Sequence, residues 1–87
     1  MRAEDVLPEH INRDQFNGVT VRKGTVGAFL ANARMFLDPG TAAASRDEIE
    51  RHMIEALPAL NALGLFEVFE IRSAELQAFV AEHLPMP

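Results

Sequence analysis

Apolar residues along this chain fall into two rhythms, and the longer runs keep steps of three and four. Val26, Phe29, Leu30, Ala33, Phe36 and Leu37 recur at that step and share one face of a predicted helix. Thr25 is placed to cap it, with Gly24 freeing the chain to turn. Asp38-Pro39-Gly40 ends it, because the residue before a proline is pushed out of helical geometry. After a small-residue connector at 41–44, Ser45-Arg46-Asp47-Glu48 has the form of a capping box. Ile49, Met53, Ala56, Leu57, Leu60 and Leu63 supply the apolar face of the helix that follows, and Gly64 sits where a C-terminal cap belongs. Pro58 interrupts this run. An interior proline costs about 3 kcal/mol, which predicts a kink or break near Ala56. A last helix starts from a Ser73 cap with Glu75 in its first turn. Leu76, Phe79, Val80, His83 and Leu84 form its inner stripe, and Pro85 stops it.

The second rhythm is alternation. Val19-Thr20-Val21 alternates as a strand does, directly after the tight-turn pair Asn17-Gly18. Arg13 to Phe16 is open to two readings, the other arm of a hairpin or a single helical turn capped by Asn12. Phe66 to Ile71 reads as a second strand between Gly64 and Ser73, with imperfect alternation. Phe66 and Val68 point one way, Phe69 and Ile71 the other, which requires either a bulge or cover on both faces. The expected architecture is a small single α+β domain over residues 1–87 in the order β-α-α-β-α. Its short sheet is packed on one face by three helices, and residues 1–16 form a polar, partly irregular N-terminal segment. Two strands are marginal alone, so a third is expected from the N-terminal segment or from another molecule.

Composition narrows the function classes. A chain of 87 residues, 48% hydrophobic, fits one small domain, and it is too apolar for a disordered chain. Acids exceed bases by 13 − 8 = 5, and the formal charge of −5 is unsuited to general nucleic-acid binding, which relies on an excess of Lys and Arg. The absence of cysteine excludes disulfides, thiolate metal sites and thiol catalysis. The opening MRAEDVLPEH lacks the apolar run of a signal peptide, and Val26 to Leu37 is too short and too interrupted to span a bilayer. Cytoplasmic residence is the default expectation, with no membrane partner.

Candidate chemistry is sparse. At Arg22-Lys23-Gly24-Thr25 a strand runs through glycine into a helix N-terminus, where open backbone donors and Lys23 favour an anion, and Gly27 lets a ligand approach. The spaced glycine of a phosphate loop is missing. Glu48, His52 and Glu55 share one helix face, yet lack the second histidine of a zinc-protease helix, and three ligands from one helix do not converge on a metal. His83, on an apolar stripe, fits a half-buried ring bonded to a backbone carbonyl, and His10 has only Glu9 beside it. Ser45, Ser73 and Thr25 read as caps. Asn32 and Arg34 interrupt a small, apolar second face of the first helix, formed by Ala28, Ala31 and Met35. These motifs carry no family signature, no catalytic constellation and no cofactor site. The expectation is therefore a non-enzymatic interaction module. It would self-associate, as a homodimer or with a protein partner, through its sheet or an exposed helix face, with Phe66, Val68, Phe69 and Ile71 as the contact. The alternative is a small anion- or nucleotide-responsive protein using the strand-to-helix junction Arg22-Lys23-Gly24-Thr25, with Lys23, Gly24 and Thr25 as the anion-binding residues.

Overall fold

The computed structural model describes Met1, Arg2, Asp5 and residues 13–84. Strands β1 (Arg13–Phe16) and β2 (Val19–Arg22) pair antiparallel, followed by helices α1 (Thr25–Leu37), α2 (Ala43–Leu63), α3 (Leu65–Val68) and α4 (Ala74–His83). The α+β class is as expected. The order is not, because the second predicted strand does not form and the first strand finds its partner in Arg13–Phe16.

The hairpin follows from its turn. Asn17 and Gly18 both hold positive φ, 49° and 79°, which is the twist a two-residue loop needs to match its strands. The side chain of Asn17 donates to the Ala62 carbonyl at 2.6 Å and ties the turn to the end of α2. The sheet therefore lies against α2 rather than serving as a platform for three helices. Val21 is buried, but the main core is built by the helices: Phe29, Ala33 and Phe36 of α1, Ile49, Met53, Leu57 and Leu60 of α2, and Leu76, Phe79 and Val80 of α4. The rings of Phe36 and Phe79 meet at 4.9 Å with a 49° tilt, and Arg46 lies over the outer side of Phe36 at 5.5 Å.

Several local expectations change. The residue before α1 is Gly24 at φ 87°, so Thr25 lies inside the helix; its hydroxyl donates back to the Arg22 carbonyl at 2.7 Å. Helix α2 begins at Ala43, ahead of the Ser45–Glu48 box, with no side-chain cap. Alanine is the best helix former, so Ala43 and Ala44 extend the helix past the box. Pro58 does not break α2, which runs unbroken from Ala43 to Leu63. Ile54 and Pro58 are both on the exposed side, where water can serve the Ile54 carbonyl that loses its donor. Two caps stand as read. Gly64 takes φ 85° and donates to the Asn61 and Leu60 carbonyls, and the Ser73 hydroxyl accepts from Leu76 N–H at 3.2 Å.

After Gly64 the chain makes one more helical turn, closed by Glu67 N–H to Gly64 O at 3.1 Å and Phe69 N–H to Leu65 O at 2.9 Å. Only from Phe69 onward is it extended. The apolar residues of this segment thus leave at helical spacing, which is why they fail to alternate as a strand. No helix among the described residues is long and apolar enough to cross a membrane.

Candidate functional site

The broad apolar face of α1 is only half used by the core. Phe29, Ala33 and Phe36 are buried, whereas Val26, Leu30 and Leu37 form a second stripe exposed to 38%, 56% and 37%. Leu30, expected in the core, is therefore a surface residue. Steps of four along a helix keep Val26 and Leu30 in one row, and that row is one wall of a groove. The opposite wall comes from α3 and the extended segment after it: Leu65, Phe66, Phe69 and Ile71, with Phe29 and Leu76 at the base. The groove has a volume of about 570 Å³ and its lining is almost wholly apolar.

The four residues expected at an interface divide accordingly. Phe66 and Ile71 are half-buried against the core, while Phe69 and Val68 are exposed to 65% and 78%. Phe69 stands at the groove margin and also borders a smaller hollow of about 270 Å³ on the α4 side, lined by Val80, Ala81 and Leu84. Glu70 and Arg72 occupy the groove rim, both exposed, with no ion pair to either among the described residues.

A second, more polar concavity lies where β2, α1 and α2 meet. It has a volume of about 460 Å³, with Thr20, Arg22, Thr25, Asn32, His52 and Glu55 around a base of Phe29, Ala56 and Ala59. Of the residues expected to hold an anion, Thr25 lines this cleft, with its hydroxyl proton committed to the Arg22 carbonyl. Lys23 and Gly24 form the turn beside it. A side chain at Gly24 would meet no atom within 4 Å, so the glycine answers the positive φ and not the close approach of a ligand. Gly27 is likewise in open space.

On α2, His52 Nε2 lies 3.9 Å from Glu48 Oε1, with side chains 45% and 65% exposed, and Glu55 joins His52 on the cleft wall. No group of three metal-ligating side chains occurs among the described residues. His83 is placed as its stripe implied. Its ring packs on Phe79 at 4.5 Å, and Nδ1–H donates to the Phe79 carbonyl at 2.9 Å, since a carbonyl can only accept. His10 lies outside the described residues.

Two features escaped the sequence reading. One is the division of the α1 face, which depends on where α3 and its extension lie. The other is the pairing of Arg13 with Arg22 across the hairpin. That pairing can be counted outward from the Asn17-Gly18 turn once a hairpin is assumed. No protein-family model, curated protein or solved structure matches the chain.

Proposed function

We propose that this chain is a non-catalytic interaction module that forms a two-fold homodimer through the groove between α1 and residues 65–73. The supporting observation is the uncovered half of the α1 face, set beside an exposed Phe69 across one continuous apolar groove. A patch of that kind, rimmed by polar residues, is the mark of a contact surface. The occupant is a second copy because the patch is self-complementary. A projecting aromatic stands next to a hollow that can receive one, which is what a two-fold contact requires. The rim is compatible with this. Glu70 and Arg72 carry opposite charges on the same rim, and in the proposed dimer Glu70 of each copy meets Arg72 of the other.

Magnitudes bound the affinity. Complete burial of a Leu or Phe side chain contributes about 1.5–3 kcal/mol, and each is counted twice in a symmetric contact. Scaled by their present exposure, Leu30 and Phe69 together offer roughly 4–7 kcal/mol, against an association cost of at least about 4 kcal/mol. These two residues alone roughly break even. Val26 and Leu37 supply the surplus, which puts the dimer at the weak end of the range.

Reversing the rim charges tests the arrangement. Glu70→Arg alone sets Arg72 of one copy against a new guanidinium, and Arg72→Glu alone sets Glu70 against a new carboxylate. Each should weaken the dimer by roughly tenfold in size-exclusion dilution series, since exposed pairs contribute about 0.2–1 kcal/mol each and two are reversed. The double reversal should restore it. A double variant as weak as the singles would rule out the two-fold pairing.

A further inference from the structure

Residues directly opposite each other in an antiparallel ladder emerge on the same side. In this hairpin Arg13 faces Arg22 and Gln15 faces Thr20, so one side is entirely polar and carries two guanidiniums at its open end. Both arginines are exposed, and neither forms an ion pair among the described residues. Asp14, the nearest acid in the chain, leaves on the other side and accepts the Gln15 N–H at 2.8 Å. Cross-strand partners have β-carbons only about 4.5–5.5 Å apart, and like charges there destabilise the pair. The arrangement is unfavourable for an empty hairpin and favourable for one holding an anion between the two forks, because guanidinium donors match phosphate oxygens two at a time.

Arg22 also lines the polar cleft, and Arg13 stands beside it as its cross-strand partner. Across the cleft stand Asn32 of α1 and His52 and Glu55 of α2, over Phe29. This gives the cleft a polarity. The carboxylate of Glu55 accepts hydrogen bonds and repels phosphate, so it suits hydroxyl or amino groups at the end of the ligand remote from Arg22. We propose that the hairpin and cleft bind a small phosphate monoester. Its phosphate sits between Arg13 and Arg22, and its hydroxyl-bearing body lies over Phe29, read by Asn32, His52 and Glu55. This site shares only the buried Phe29 with the apolar groove and uses none of the proposed dimer's exposed contact residues.

The test is a pair of titrations on the full chain at low ionic strength, followed by the arginine Nε–H and backbone amide NMR signals. The probes are inorganic phosphate and ribose 5-phosphate. Both should saturate with shifts at Arg13 and Arg22, the ester binding more tightly. Arg22→Gln and Arg13→Gln should each weaken both ligands by roughly tenfold or more, as expected for loss of a charge-assisted fork. Glu55→Gln should weaken the ester and not weaken phosphate. Without ligand, Arg13→Gln should raise the thermal midpoint, because it removes the facing charges. No saturable shift with either probe up to about 10 mM would overturn the site, since binding that weak falls below the ordinary millimolar range. Equal affinities in wild type and Arg22→Gln would overturn it too. An ester that binds no better than phosphate would overturn the placement of its body in the cleft.

Discussion

Neighbouring residues on α1 show how a one-position step decides a side chain's role. Phe29 is 4% exposed and touches the helical core, while Leu30 is 56% exposed and forms a groove wall. Phe29→Ala should therefore cost about 3–5 kcal/mol in chemical denaturation, the usual range for a buried Phe. Leu30→Ala should cost less than about 1 kcal/mol, as substitutions away from the core do. Equal losses for the two would contradict the division of the face. Sequence periodicity alone put both inside, because a run with Val26, Phe29, Leu30, Ala33, Phe36 and Leu37 spans an arc wider than one neighbour covers. Single-residue contacts that depend on local geometry were more readable. His83 bonds to Phe79 O, and the Ser73 hydroxyl accepts from Leu76, both within one helical turn. Thr25 departs from its predicted capping role, because its hydroxyl serves the Arg22 carbonyl behind it instead of the helix ahead.

Among the elements, segment 65–71 is the instructive one. Its β-rich composition predicts a strand, yet among the described residues no strand lies beside it to pair with. A helical turn satisfies its backbone locally, through the bonds to Gly64 and Leu65. The failed alternation of Phe66, Val68 and Phe69 was the visible sign, and the helical spacing of Leu65 and Phe69 explains it. Gly64 makes the reversal possible. A β-carbon there would find only Glu67 Oε2 at 3.6 Å, an ordinary contact, so Gly64→Ala meets a conformational cost at φ 85° and not a clash. It should destabilise by about 1–2 kcal/mol. Gly27 sits inside α1 with open space around it, and Gly27→Ala should stabilise by about 0.5–1 kcal/mol. Thermal melts of the two variants should therefore move in opposite directions. A common direction would contradict the backbone assigned at one of them. The capping box at Ser45 and the break at Pro58 both give way to the surrounding helix. Ala43 and Ala44 extend it ahead of Ser45, and at Pro58 it is held by the buried Ile49, Met53, Leu57 and Leu60 while the freed Ile54 carbonyl faces outward.

For the whole molecule, the class and the helical core were legible, because each helix carries its own apolar period and a short chain gathers these stripes into one cluster. The groove was not legible, since it is made by two elements distant in sequence, α1 and residues 65–73. The surface that results has an uncovered apolar groove on one side and a polar hairpin with facing arginines on another. The first is the surface proposed to hold a second copy of the chain, the second the one proposed to hold a small anion. Sedimentation equilibrium of wild type and Phe69→Lys, from about 1 µM to several hundred micromolar, tests the central claim most directly, because weak association of this kind appears across that range. The wild type should rise from its monomer mass of 9.6 kDa toward twice that value. Phe69→Lys should keep the wild-type thermal midpoint, its side chain being exposed, and remain at monomer mass throughout. A wild type that stays monomeric at the highest concentration, or a folded Phe69→Lys that dimerises equally well, would contradict the account.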